Sequence, residues 1–131
     1  MSKLDCVAFH ITVKASGMSG ISKEAVFRKC VDEVFKILDR SLSTVDPDMV
    51  ECELGLGSLT LIINKNLKCI LSSQPSIGQL WLAIASEGRA YHFIFDEKTF
   101  KWIDIKDGTT TLLVLLTEYI KEKTGLELVL G

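Results

Sequence analysis

The chain has 131 residues, with 17 acidic side chains against 15 basic and a net charge of −2. That length holds one domain with a proper core and not two, and the acidic balance excludes a protein that lives on nucleic-acid phosphates through a basic face. Apolar residues make up 47% and charged residues 24%, ordinary for a globular chain, and no run approaches the roughly 20 apolar residues of a membrane span. What remains as a partner is a cation or another protein.

Residues 1–21 are poor in acids and carry Lys3 and Lys14. They read as a leader or tail: a decayed mitochondrial presequence, an unstructured tail or an extra strand. The apolar piece from Cys6 to Phe9 is too short for a signal-peptide core. The domain proper is assigned to residues 22–131. Ser22 with Glu24 behind it starts a helix, and Phe27, Val31, Val34, Leu38 and Leu42 recur at spacings of three and four, so a helix of about 20 residues ends near Ser43. Its outer face carries Asp32, Lys36 and Asp39, with Arg28, Lys29, Glu33 and Arg40 on the flanks.

Beyond the helix Asp46, Asp48, Glu51 and Glu53 follow with no base among them. Val50, Cys52 and Leu54 alternate with the two glutamates, so a strand starts here with Glu51 and Glu53 on its wet side. Such a ridge suits hard divalent cations, which take oxygen ligands and exchange readily. It equally suits an edge strand kept soluble by charge.

Gly55 and Gly57 turn the chain into Leu59–Ile63, Asn64-Lys65-Asn66 makes a tight hairpin into Leu67–Leu71, and 72–78 is the next turn. Strands over Gln79–Ile84, Ala90–Phe95 and Thr99–Ile105 follow, then Asp107-Gly108, a cap at Thr109 or Thr110, and a second amphipathic helix through Leu112, Leu113, Leu116, Tyr119 and Ile120 to Gly125. Leu126, Leu128 and Leu130 form an apolar tail. The expected fold is α+β, a two-layer sandwich with two helices on one face of an antiparallel sheet of five to six strands.

The strand 79–84 sets the faces. Leu80, Leu82 and Ile84 share one side and Gln79, Trp81 and Ala83 the other. Burying three aliphatics, at about 1.5 to 3 kcal/mol each, outweighs burying one tryptophan with small or polar neighbours, so Trp81 points outward. An outward tryptophan beside a glutamine is either covered by another element or docks a partner. Cys6, Cys30, Cys52 and Cys69 contain no Cys-x-x-Cys pair, and Cys52 and Cys69 read as small buried hydrophobes in a reducing compartment. Neither His10 nor His92 has the setting of a general base, and Gly55-Leu56-Gly57 lacks the lysine of a phosphate loop.

The order Glu51-Cys52-Glu53, Gly57-Ser58-Leu59-Thr60, Gln79-Leu80-Trp81-Leu82-Ala83, Tyr91-His92-Phe93, Lys101-Trp102 and the Leu112-Leu113 helix resembles the frataxin family, including its bacterial CyaY-type members, over roughly residues 22–130. The resemblance implies a protein that holds Fe²⁺/Fe³⁺ weakly and exchangeably on an acidic ridge, carried here by Asp32, Asp39, Asp46, Asp48, Glu51 and Glu53. It implies docking on the cysteine desulfurase and scaffold protein of iron–sulfur cluster assembly through Gln79, Trp81 and Arg89. Lys36, Arg28, Lys29 and Arg40 dilute the helical part of the ridge and shift the iron site toward residues 46–53. A monomer or an iron-dependent oligomer is expected, with no nucleic-acid or membrane partner. The compartment is the mitochondrial matrix or a reduced mitochondrion-derived organelle, or the cytoplasm if the source is bacterial. Ferroxidase or iron-storage activity through the same carboxylates is the alternative function, although the Glu-x-x-His pattern of dedicated di-iron sites is absent. Single-stranded nucleic acid stacked on Trp81 is a third class that the acidic balance disfavours.

Overall fold

A computed structural model describes residues 23–130. Helix α1 spans Lys23–Leu42 and helix α2 spans Leu112–Thr124; between them run β1 (Val50–Gly55), β2 (Ser58–Ile63), β3 (Leu67–Gln74), β4 (Gln79–Ile84), β5 (Arg89–Asp96) and β6 (Lys101–Asp104). The six strands form one sheet in the order β1-β2-β3-β4-β5-β6, each antiparallel to the next. Both helices pack on one face of it, which is the α+β two-layer sandwich expected from the periodicity.

The core is the apolar side of every element. Val31, Val34, Leu38 and Leu42 of α1 and Leu112, Leu116 and Ile120 of α2 meet Leu59, Leu61, Ile63, Leu71, Leu80, Leu82, Ile84 and Phe93 of the sheet, all buried. Trp102 is buried too, at 4% exposure, with Phe27 of α1 edge-on to its ring at 5.7 Å and Phe95 at 5.4 Å. The two tryptophans therefore serve opposite faces of the sheet.

Turns follow local chemistry. Asn64 and Lys65 both take positive φ, 53° and 70°, in the three-residue loop that joins Ile63 to its partner Leu67, where the Asn66 N–H donates to the Ile63 carbonyl at 3.2 Å. Asn64 also donates its side-chain amide to the Lys123 carbonyl at 2.7 Å, tying this hairpin to the last turn of α2. Strand β3 runs on to Gln74, past the Leu71 end read from the sequence, because Ser72, Ser73 and Gln74 pair with Trp81, Leu80 and Gln79. Strand β6 is shorter than the expected 99–105. The Asp96 carboxylate accepts the Lys98 backbone N–H and the Thr99 hydroxyl, and Phe100 turns with φ 58° onto Phe95, so pairing starts at Lys101. The cap of α2 is Thr111, not Thr109 or Thr110. Thr111 Oγ1 accepts the Val114 N–H at 3.3 Å, while the backbone N–H groups of Thr109 and Thr110 and the Thr110 hydroxyl are all bound by the Asp107 carboxylate.

Replacing Leu82 by Ala, at 0% exposure in the middle strand, is expected to lower unfolding free energy by about 2 to 5 kcal/mol. Replacing Trp81 by Ala, on the other side of the same strand, should lower it by only about 1 kcal/mol, the worth of an aromatic contact without a core cavity. Urea titrations of the two variants measure the difference; comparable losses would mean that Trp81 is a core residue.

Candidate functional site: an acidic edge and an outward tryptophan

The carboxylates predicted as metal ligands lie along α1, the loop after it and the first strand. Glu51 and Glu53 stand on the face of β1 away from the helices, opposite Ile62 and Thr60, so no base faces them across the strands. Cys52, between them in sequence, points the other way and is half-buried. Asp39 of α1 lies beside Cys52: burial first, then the Asp39 charge and its hydrogen bond to the thiol, raise the Cys52 pKa to about 11. That contact brings the end of α1 against β1. Burial likewise raises Cys69, in the core, to about 11, so both thiols stay protonated at neutral pH.

At the loop, Asp46 Oδ1 accepts the Asp48 backbone N–H at 3.0 Å and the Asp46 carbonyl accepts the N–H groups of Met49 and Val50. The loop is thereby fixed at the start of β1. Asp48 Oδ2 is 3.7 Å from Lys65 Nζ, an exposed pair that contributes little and leaves Asp48 open to water. Asp32 is exposed on α1, two helical turns or about 10 Å before Asp39.

Three of the four bases that dilute the helical ridge in the sequence are paired within α1, while Arg40 stays exposed. Arg28 pairs with Glu24 at 2.7 Å, and Lys29 and Lys36 both reach Glu33 Oε1, at 3.3 and 3.9 Å. Glu33, read as a solvated flank residue, is in fact 4% exposed. Among the described residues Asp32, Asp39, Asp46, Glu51 and Glu53 belong to no ion pair. The same described residues hold no group of three or more His, Cys, Asp or Glu gathered as a coordination shell. The ridge is an open row of separate carboxylates. Such a row attracts divalent cations through its field and meets them with one or two oxygens and water.

Trp81 is where the alternation predicted it. Leu80 and Leu82 are 0% exposed on the helix side, while Trp81 is half-buried on the open face. Its Nε1–H donates to Gln79 Oε1 at 2.8 Å, and its ring stacks on that of His92, centroid to centroid 4.4 Å with 10° between planes. Exposed Ile70 and Ile94 and the exposed Ala83 and Ala90 share this face around it. Arg89 is not brought to it. Its register partner is Ile84, which points to the helix side, and Arg89 Nη1 donates to the Tyr91 hydroxyl at 3.1 Å beside a shallow cleft with Asp104 and Lys106. His92 was missed as part of the aromatic site, although two aromatics in adjacent strands, each on the outward parity, are the signal that could have paired it with Trp81.

This fold and surface define a class: an α+β sandwich whose open sheet face carries an aromatic contact and whose first edge is acidic. The frataxin-like domain family matches residues 21–126, and the chain belongs to the frataxin family. It is 31% identical to the iron-sulfur cluster assembly protein CyaY of Tolumonas auensis, over 83% of this chain and 99% of the relative. It is 33% identical to the CyaY of Pseudomonas fluorescens, over 79% and 91% of the two chains. Among solved structures it is similar in fold to the frataxin of Psychromonas ingrahamii, with a TM-score of 0.74 at 20% identity over 84% of this chain and 99% of the other. It is also similar to a trimeric frataxin of the yeast Saccharomyces cerevisiae complexed with ferrous iron, with a TM-score of 0.62 at 25% identity over 83% and 92%.

Because a thiolate and not a thiol is alkylated, removing the Asp39 charge should speed labelling of Cys52. Asp39→Asn is expected to raise the rate of iodoacetamide attachment at pH 8 several-fold, burial continuing to hold the thiol above its ordinary pKa. Mass spectrometry of the Cys52 peptide reads it, and equal rates would show that the carboxylate does not hold the proton.

Proposed function

We propose that this protein is an iron-binding accessory factor of iron–sulfur cluster assembly. It takes Fe²⁺ as cargo on the carboxylates of Asp32, Asp39, Asp46, Asp48, Glu51 and Glu53, and docks with Gln79 and Trp81 on a cysteine desulfurase and its scaffold protein to modulate or supply them. The observation that carries the reading is Trp81 standing on the uncovered face of a sheet whose first edge is acidic. The names of the CyaY relatives and the ferrous iron of the yeast frataxin support both halves of it. Separate, hydrated carboxylates suit delivery, because a metal handed onward must leave easily. Arg89 belongs to the docking surface only if the partner reaches around the open end of β5.

The trimeric yeast frataxin with ferrous iron favours a second reading, storage or ferroxidase chemistry by the same carboxylates brought together in an oligomer formed with iron. Oxygen uptake after Fe²⁺ addition separates the two, since delivery consumes none above the buffer rate. The bacterial sources of the CyaY relatives support the cytoplasmic alternative over a mitochondrial site.

The decisive assay is anaerobic sulfide production by a desulfurase and scaffold complex with and without this protein. Wild type is expected to change the rate and Trp81→Ala to leave it near the value without added protein. If both variants act alike, Trp81 is not the docking residue. Replacing Glu51 and Glu53 together by Gln is expected to weaken Fe²⁺ binding several-fold and to raise stability slightly by relieving like-charge repulsion. Calorimetric titration with Fe²⁺ under argon measures the first, and an unchanged affinity would move the site off β1.

A further inference from the structure

We propose that His92 is a positioning residue for docking: its imidazole backs one face of Trp81 and presents the other face of the indole, ready oriented, to the partner. The inference rests on the docking role of Trp81 given above and adds to it the reason the side chain can act as an anchor.

The geometry comes from the sheet. Trp81 and His92 are directly opposite each other on β4 and β5, and neighbouring strands lie about 4.8 Å apart. Rings 4.4 Å apart and within 10° of parallel therefore face each other along the direction from strand to strand, and both stand up from the sheet. A tryptophan has two side-chain torsions. One contact, the indole N–H on Gln79 Oε1 at 2.8 Å, holds the edge of the ring, and the other, the imidazole, holds its face. On the remaining side the cross-strand neighbour is Ser72 of β3, too small to cover an indole. The free face of Trp81 thus looks over β3, above Ser72. Around the imidazole on the same face stand Ala90 and Ile94 on β5, Gln79 and Ala83 on β4, and on the β6 side Ile103 opposite Ile94 and the exposed Ile105, whose N–H donates to the His92 carbonyl at 2.9 Å. Arg89, Asp104 and Lys106 line a cleft with His92 on its β6 side, and the ring contact that His92 makes is the stack on Trp81.

An exposed anchor that is already in its bound orientation loses little rotamer freedom on docking. Aromatic pairs of this kind carry enough free energy to be worth about a three- to tenfold change in an equilibrium constant. The core of the domain does not depend on His92, so its removal should act on docking and leave the fold alone.

The test titrates the desulfurase and scaffold complex with wild type, His92→Ala, His92→Phe and Trp81→Ala, following sulfide production without oxygen. For His92→Ala the concentration giving half the maximal effect is expected to rise about three- to tenfold, with the maximal effect and Fe²⁺ affinity unchanged and the melting temperature lowered no more than by Trp81→Ala. His92→Phe, which keeps a ring on the indole without nitrogens, should restore it. In parallel, ¹⁹F NMR of the free protein labelled with 5-fluorotryptophan should show the Trp81 signal shift in His92→Ala while that of Trp102 stays. A His92→Ala titration like wild type, with Trp81→Ala displaced, overturns this inference and leaves the docking reading standing. Failure of His92→Phe to rescue also overturns it, because the imidazole nitrogens would then bind the partner themselves, and so does an unmoved Trp81 signal. If Trp81→Ala itself titrates like wild type, the docking reading fails and this inference with it.

Discussion

An antiparallel sheet has two faces, and two helices of the lengths seen here cover one. Everything functional in this chain follows from that inequality. On the covered face, leucines, isoleucines, Phe93 and Trp102 are removed from water and hold α1 and α2 in place. On the open face every second residue is released from packing, so Trp81, His92, Ile70 and Ile94 can be there without contributing to the core. Because side chains alternate with a period of two, one strand serves both purposes at once. β4 anchors the domain through Leu80, Leu82 and Ile84 and offers Gln79 and Trp81 to solvent.

The electrostatics of the edge depend on the same layering. α1 lies on the inner side of the sheet, so its acids reach only the inner side of β1, where Asp39 meets Cys52, while Glu51 and Glu53 stand on the outer side. The carboxylates are consequently strung around the edge and not folded into a cage. Meanwhile Arg28, Lys29 and Lys36 are held by Glu24 and Glu33 within the helix, at spacings of three and four that only a helix brings together. Three of the four bases of this run are thereby paired, and Arg40 stays exposed next to Asp39. The negative field is left to Asp32, Asp39, Asp46, Glu51 and Glu53, which among the described residues belong to no ion pair.

Preorganisation links the two halves of the surface. The aromatic contact is rigid through Gln79 and His92, whereas the acidic contact is open, hydrated and spread. Rigid anchors give an interface its register and affinity, and loosely held cations can leave it. One sheet edge and one sheet face, with β2 and β3 between them, carry these two kinds of surface.

Much of the domain was legible in the residues alone, since it depends on local rules. Periods of 3.6 and two located both helices and the core side of the strands, Asn64-Lys65 marked the hairpin, and the aliphatic majority on 79–84 turned Trp81 outward. The acidic ridge was equally visible as a run without bases. What only the tertiary structure decided are contacts between residues far apart in the chain, which depend on register and on competition for partners. Pairing of 72–74 with 79–81 lengthened β3, and the grip of Asp107 on Thr109 and Thr110 left the cap to Thr111. The strand parity of Arg89 took it away from Trp81, the packing of α1 on β1 joined Asp39 to Cys52, and the β4–β5 register set His92 against the indole. A sequence states which face a side chain chooses, because that choice is made within one strand; which neighbour it finds there is settled only when the strands align.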